Sequence, residues 1–470
     1  MVWVSVLSME PVPDRSTARL APILGADRYR RLGESALRFR QDLAGRRIWN
    51  VSSTAVGGGV AEMLQGLVGY VSDLGIPIEW AVIGADADFY TITKRLHNRI
   101  HGDPGDGEPL GDVAAEHYSA VLAANADDLV ALVRPGDLVL LHDPQTAGLT
   151  AALVEAGAKV VWRCHIGVDW ENEATRTAWA FLRPYLARAH GFVFSRRQYV
   201  PSWAADRPTW IVPPSIDPFS AKNQDLAPDT VRAILATIGV LDGTGTGRFI
   251  RRDGTTGEVV RPASIVAESR PGPTDPVVVQ VSRWDRLKDM GGVLKGFADH
   301  VAPDGYLMLV GPAVAEVSDD PEGEAVYAEC VQLWRALPAG ARARILLVTL
   351  PLDDIDENAA MVNAVQRHAT VIVQKSLAEG FGLTVAEGMW KGRPVVGSAV
   401  GGILDQIIDG TGVLLPDPTD LRAFGLAVRG LLDDPERTGR MGRAAYAYIH
   451  EAFLGDRHLL QYADLFRTLL

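Results

Sequence analysis

Two glutamates eight positions apart, Glu379 and Glu387, bracket the string Gly380-Phe381-Gly382-Leu383-Thr384. Carboxylates, permissive backbone and a helical pattern in that order suit a phosphorylated ligand that also carries hydroxyl groups. A loop leaving a strand lies over the amino terminus of the helix it feeds, where free N–H groups and the dipole favour an anion. Gly380 and Gly382 let the backbone approach that anion closely. Leu383 and Thr384 precede Glu387 by four and three residues, so their amides and its carboxylate share one side of the helix. Glu379, just ahead of the glycines, reaches whatever is attached to the anion. A phosphate flanked by two hydroxyl-rich groups uses every part, and a nucleotide sugar is such a molecule. Taken singly, Glu379 reads as a loop surface acid and Glu387 as an ordinary acid early in a helix; taken together, the arrangement favours a site.

A second cluster lies upstream. Ser282-Arg283-Trp284-Asp285-Arg286-Leu287-Lys288-Asp289 follows the apolar run Val277-Val278-Val279-Gln280-Val281. Three cations within six residues at a strand exit suit a doubly charged pyrophosphate, with Arg supplying a fork and Lys a point charge. The net charge of −12 makes this local basicity harder to ascribe to a solvated loop and argues against broad nucleic-acid binding.

The elements that must position these groups are legible around them. Val371-Ile372-Val373 reads as a buried parallel strand, Leu383 to Trp390 as the helix it feeds, and Lys391-Gly392-Arg393-Pro394 as the stop. Val395-Val396-Gly397 is a second short strand, and Gly401-Gly402 opens another loop and helix. In the first half, Ile48 to Thr54 leads into Gly57-Gly58-Gly59, a turn able to cradle an anion, though it is neither a P-loop nor a full dinucleotide fingerprint. Leu138 to Leu141 runs into His142-Asp143-Pro144-Gln145, and Val160 to Cys164 into His165-Ile166-Gly167. Open α/β sheets bind their ligands at the carboxyl ends of parallel strands, and two histidines at two such exits favour a site over two structural residues.

These strings carry a family resemblance. The paired glutamates around Gly-Phe-Gly-Leu-Thr resemble the signature of retaining glycosyltransferases with the GT-B fold. The longer string Gln374-Lys375-Ser376 through Met389-Trp390-Lys391-Gly392 resembles the trehalose glycosyltransferring synthases and their relatives, the retaining trehalose phosphorylases. Phe89-Tyr90, Thr93-Lys94 and His97-Asn98, and both histidine clusters, are similar to that branch too. The resemblance covers essentially Ile48 to Leu470 and implies an α/β chain of two doubly wound Rossmann-like domains facing a cleft. It also implies transfer of glucose from a nucleoside diphosphate glucose to the anomeric hydroxyl of glucose, giving trehalose with retained configuration.

On that reading Arg283 and Lys288 hold the diphosphate and stabilise the leaving group, Glu379 holds donor sugar hydroxyls, Glu387 binds ribose, and His165 orients the sugar. Gly58 and Gly59, with Gly380, Phe381, Gly382, Leu383 and Thr384, belong to the donor side. His142, Asp143, Gln145 and Lys94 belong to the acceptor side. No carboxylate nucleophile is evident, and the family is generally described with a front-face mechanism. One departure stands out: Gly167 follows His165-Ile166 where many relatives carry an acid, which is delayed here to Asp169. That unsettles the acceptor side more than the donor side. The alternatives are a trehalose phosphorylase, transfer to another sugar acceptor and, least favoured, a non-catalytic sugar-nucleotide sensor.

The 470 residues, 47% of them hydrophobic, suffice for two domains. The expected division is 1–215, then 216–449 after the paired prolines Pro213-Pro214, with 450–470 as a helix crossing back to the first domain. Residues 218–275, rich in Gly, Asp, Thr and Pro, read as a long, partly mobile excursion with little core. In related folds the Val314 to Pro321 loop and the Asp353 to Asn363 segment surround the nucleotide base. Cys164 and Cys330 offer neither a disulfide framework nor a metal cluster, which fits a reducing cytoplasm. No signal peptide or membrane span is read. The expected partners are small sugars and a nucleotide; Mg2+ and a homodimer are compatible with the sequence but not read from it, and no other cofactor is required.

Overall fold

The computed structural model describes residues 7–56, 58–313 and 321–470. Gly57 of the glycine run and 314–320 of the loop expected near the base lie outside the described residues. The chain forms two compact units, Met1–Ser215 with Gly455–Leu470, and Ile216–Leu454. Residues 450–454 thus belong to the second unit.

The first unit is built on seven strands: β1 (Ser8–Glu10), β2 (Ile48–Ser52), β3 (Ile78–Val82), β4 (Leu138–His142), β5 (Lys159–Cys164), β6 (Gly191–Phe194) and β7 (Thr209–Ile211). Their order is β1-β3-β2-β4-β5-β6-β7, all parallel except the edge strand β1. Parallel strands covered on both faces read as continuous apolar runs, and their alternate side chains divide between two cores. Trp49, Val139, Leu141, Val160, Trp162 and Phe192 enter one cluster, while Ile48, Leu138, Leu140, Val161 and Val193 enter the other. The second cluster is closed by the helices Ala21–Leu43 and Gly455–Arg467, with Phe39 and Phe466 stacked 6.3 Å apart.

In the second unit the segment 218–275 departs from expectation by contributing a core. Helix Pro228–Thr237 buries Val231, Ile234 and Leu235, and a hairpin of β8 (Arg248–Ile250) and β9 (Thr256–Glu258) buries Phe249. The segment is fastened to the start of helix Ile355–His368. Arg251 forks onto Asp354 at 2.9 and 2.6 Å, Arg252 reaches Asp356 at 2.9 Å, and Arg261 pairs with the buried Glu357. These partners lie about a hundred residues away, so composition alone could not announce them.

The second sheet comprises β10 (Ser264–Val266), β11 (Val277–Val281), β12 (Tyr306–Pro312), β13 (Ile345–Leu350), β14 (Val371–Gln374), β15 (Val395–Ser398) and β16 (Gly412–Leu415). Its order is β10-β13-β12-β11-β14-β15-β16, again parallel except for the edge strand β10. In each unit the chain steps outward from its first parallel strand and then returns to that strand's other side. The reversal falls between β2 and β4 in the first unit and between β11 and β14 in the second. The crevice outside the carboxyl ends at such a reversal is where doubly wound sheets bind ligands. Among the described residues, no helix is long and apolar enough to cross a membrane.

Candidate active site

In the second unit the two strand exits at the reversal are those of the cation-rich string and of the glycine-flanked glutamate. After β11 comes a single turn, Arg286–Lys288, capped by Asp285, whose carboxylate accepts the Leu287 N–H at 2.7 Å. Asp289 then adopts a left-handed conformation, φ 47°, and caps helix Met290–His300 by accepting the Gly292 N–H at 3.1 Å. Three bonds tie β11 and this turn to the exit of β14. The fully buried Lys375 ion-pairs with Asp289, the Lys375 amide donates to Gln280 Oε1 at 3.1 Å, and the Leu377 amide donates to the Leu287 carbonyl at 2.7 Å. Gln280 Nε2 in turn donates to the Lys288 carbonyl at 2.7 Å. Held in this way, Lys288 Nζ lies 2.7 Å from Glu379 Oε2, which also accepts the Ser376 hydroxyl at 3.2 Å.

Helix Leu383–Trp390 starts from Gly382, whose φ of 80° is the left-handed region that glycine enters freely; a Cβ there would stand 3.1 Å from Glu379 Cγ. Leu383 is half-buried in the first turn, and Phe381 packs 5.7 Å from Phe453. The Thr384 hydroxyl donates to Gln374 Oε1 at 2.8 Å, and Gln374 donates onward to Ser376 at 2.9 Å. Glu387 is buried, with Lys222 Nζ 3.7 Å from Oε1 and no hydrogen-bond donor to Oε2 among the described residues. Such orphaned buried oxygens are rare and call for an explanation. Lys391, one turn on, donates to the Glu387 carbonyl and to Asn223 Oδ1, both at 3.1 Å, and burial pushes its ammonium down to about 7 against the pull of Glu387.

Each cation of the expected trio has an acidic partner, Lys288 as described above. Arg283 is half-exposed, 3.1 Å from Asp285, whereas Arg286 forks onto Glu329 at 3.0 and 2.8 Å and also faces Glu322 at 3.6 Å. Helix Pro321–Ala336 supplies those acids.

In the first unit the histidines form a buried chain of defined proton positions. Arg163 Nε, which can only donate, faces His165 Nδ1 at 3.2 Å. The His165 proton is therefore on Nε2, which donates to His142 Nδ1 at 3.0 Å, and His142 Nε2–H donates to Asn50 Oδ1 at 3.1 Å. Burial, reinforced by the Arg163 charge, pushes His142 down to about 3 and His165 well below its usual value, so both are neutral near pH 7. Arg163 also donates to Tyr462, to His458 Nε2 at 3.3 Å and to the Val212 carbonyl at 3.0 Å. Both ring nitrogens of His165 are thus committed, and a role toward a sugar falls to its ring carbons or backbone carbonyl.

Asp143 sits at φ 63°, a strained conformation for a residue with a side chain, and its carboxylate accepts the His165 amide at 2.7 Å. Gln145 Oε1 is buried without a donor among the described residues. Gly58 and Gly59 open helix Gly58–Asp73 beyond β2. Lys94 is exposed on helix Ala87–Ile100, with no hydrogen bond or ion pair to the described residues around His142 and Asp143, so the contacts do not join it to that group.

The strained Asp143 yields a pH prediction. Burial pushes its carboxyl up to about 7, although the His165 amide and Arg163 pull it down. The folded state therefore keeps a proton that the unfolded chain releases near pH 4. The stability this contributes is complete below about pH 4 and is lost as pH rises through about 7. Asp143→Asn, which still accepts the His165 amide, should flatten that dependence. Urea midpoints of the two proteins that run parallel from about pH 4 to 8 would refute the assignment.

Comparison with known proteins agrees with this organisation. Residues 50–201 match the trehalose synthase N-terminal domain and residues 264–448 the glycosyl transferases group 1 family. The trehalose synthase of Pyrococcus horikoshii is 33% identical over 452 residues, covering 95% of both chains. This chain belongs to the trehalose synthase family of glycosyltransferases. The enzyme has the GT-B fold, since it superposes on the alpha,alpha-trehalose 6-phosphate synthase of Burkholderia multivorans with a TM-score of 0.66 at 15% identity, over 90% of this chain and 97% of that one. It is also similar to the trehalose phosphorylase of Pleurotus pulmonarius, at 24% identity over 85% of this chain and 54% of the other.

Sequence reasoning on this family member left Asp289, Lys375 and Gln280 without a task, although all three stand inside or beside the quoted strings. The signal was an Asp and a Lys at the two strand exits that adjoin only once β11 and β14 are known to pair. Lys222, Asn50, Arg163, His458 and Tyr462 carried no such signal.

Proposed function

We propose that the enzyme transfers glucose from a nucleoside diphosphate glucose to free glucose, forming trehalose with retained configuration. One observation carries this reading: the Lys288–Glu379 pair stands at the sheet reversal beside the Gly382 helix start, five residues before Glu387 with its orphaned oxygen. The anion of the donor would sit against the free amides of Leu383 and Thr384, with Arg283 and Lys288 meeting its charge. Glu379, next to Lys288, would accept donor sugar hydroxyls, and Glu387 would accept ribose hydroxyls through Oε2.

As the bond from the anomeric carbon to the diphosphate breaks, negative charge grows on the departing oxygen, where the two cations stabilise it. The anomeric hydroxyl of the acceptor attacks from the same face and passes its proton to the departing phosphate. No protein nucleophile is then required. Asp143, Gln145 and Lys94 are assigned to the acceptor, His142 to positioning His165 since both its ring nitrogens are engaged, and Gly58 and Gly59 to the donor.

The similarity to a trehalose phosphorylase favours phosphate in place of the nucleotide as the second reading. That reading leaves the buried Glu387 oxygen without a ligand. Calorimetric titration with ADP, GDP and UDP separates the two. Loss of a charge-assisted hydrogen bond costs about 1.5–3 kcal/mol, so Glu387→Gln should bind the preferred nucleotide roughly tenfold to a hundredfold more weakly. Binding at wild-type strength would remove ribose from Glu387, and no nucleotide binding at all would favour the phosphorylase.

A further inference from the structure

Beside the exit of β5 the first unit holds a cavity of about 400 Å3 whose lining includes none of the residues assigned to the reaction above. Its aromatic lining is Trp170, Trp179, Tyr199 and Trp203. The departure that follows His165-Ile166 builds this wall. A side chain at Gly167 would put its Cβ 2.3 Å from Tyr199 Cγ, so only glycine lets the Tyr199 ring lie against the backbone. The acid delayed to Asp169 pairs with the buried Arg196, whose guanidinium lies 5.6 Å over the same ring. Trp170 remains 50% exposed, an unusual state for an indole in a lined recess, and Trp203 Nε1 is shielded from solvent yet finds no acceptor among the described residues.

We propose that this cavity is a binding subsite for one hexose unit of a neutral saccharide. A sugar ring has an apolar C–H face and a rim of hydroxyls that both donate and accept. The aromatic rings match the face. Asp169 and Glu171 accept, while Arg176, Arg183 and Gln198 donate, so the rim is matched with balance of charge. Two acids against two arginines leave the lining without the net positive charge that a sugar phosphate would need. The volume lies within the ordinary range for small-ligand sites. Nothing in this argument depends on the donor, so the subsite stands or falls apart from the nucleotide chemistry.

The test is a titration of the intact enzyme with trehalose, maltose, glucose and glucose 6-phosphate, without nucleotide, followed by tryptophan fluorescence and calorimetry. Two variants at exposed positions localise the site: Trp170→Ala removes a wall, and Ala180→Trp fills the recess from the surface of helix Glu173–Leu186. A neutral sugar should bind the wild type with a saturable fluorescence change. Its Kd should rise roughly tenfold or more in Trp170→Ala, and the change should vanish in Ala180→Trp, with nucleotide affinity unaltered. Equal saccharide affinity in all three proteins, binding of glucose 6-phosphate alone, or no saccharide binding to the wild type would each overturn the subsite.

Discussion

Lys288→Ala is expected to lower kcat by about a hundredfold to a thousandfold, the loss typical of removing one preorganised group aimed at charge that develops in the transition state. The ammonium stands 2.7 Å from Glu379 in the resting enzyme, so its removal also leaves that carboxylate without its cation. Donor binding should weaken too. An interaction that strengthens as the glycosidic bond breaks must appear in kcat, whereas one equally strong before and during the reaction appears in KM alone. Steady-state kinetics therefore decide the role: a Lys288→Ala enzyme changed only in KM would make Lys288 a binding residue and require another stabiliser for the leaving group. Arg283→Ala should follow the same pattern with a smaller kcat loss, because its side chain is half-exposed and partly screened.

The second large effect lies in the ion pair between Lys375 and Asp289. Lys375 is fully buried, and its partner caps a helix from a left-handed backbone that Asn also tolerates. Asp289→Asn preserves the cap and leaves the Lys375 charge uncompensated, which should cost on the order of 3–5 kcal/mol in the stability of the second unit. Adding Lys375→Met removes the stranded charge and should restore much of the loss. The double variant should nevertheless have lower kcat than wild type, since the pair sets where Lys288 meets Glu379. Chemical denaturation of the single and double variants gives the coupling directly; additive losses would mean that the pair contributes no mutual stabilisation.

The elements around these residues were readable because parallel strands covered on both faces must be largely apolar. Val277–Val281 and Val371–Gln374 carry that pattern, and Gly382 and Gly392 punctuate the helix between them. The GT-B class followed from the resemblance of those same strings. Which strands adjoin was not written locally. That β11 pairs with β14, bringing Lys288 to Glu379, emerges only from the way the chain reverses across the sheet. Long-range charge pairing was equally hidden. Arg286 pairs with acids of helix Pro321–Ala336 that its own string does not show, and the ion pairs from Arg251, Arg252 and Arg261 gave structure to a segment whose composition suggested little. The unusual Gly167 had no reason in its own neighbourhood, because its reason is the ring of Tyr199.

The central claim, transfer between a nucleotide-bound glucose and glucose, is tested most directly by running the reaction backwards. A bond joining two anomeric carbons keeps much of the donor's glycosyl transfer potential, so reversal should be measurable. Trehalose supplied with each nucleoside diphosphate in turn should yield nucleoside diphosphate glucose and free glucose with one preferred base, and inorganic phosphate alone should yield nothing. Glucose 1-phosphate formed from trehalose and phosphate, with every nucleotide inert, would contradict the account and make the enzyme a phosphorylase.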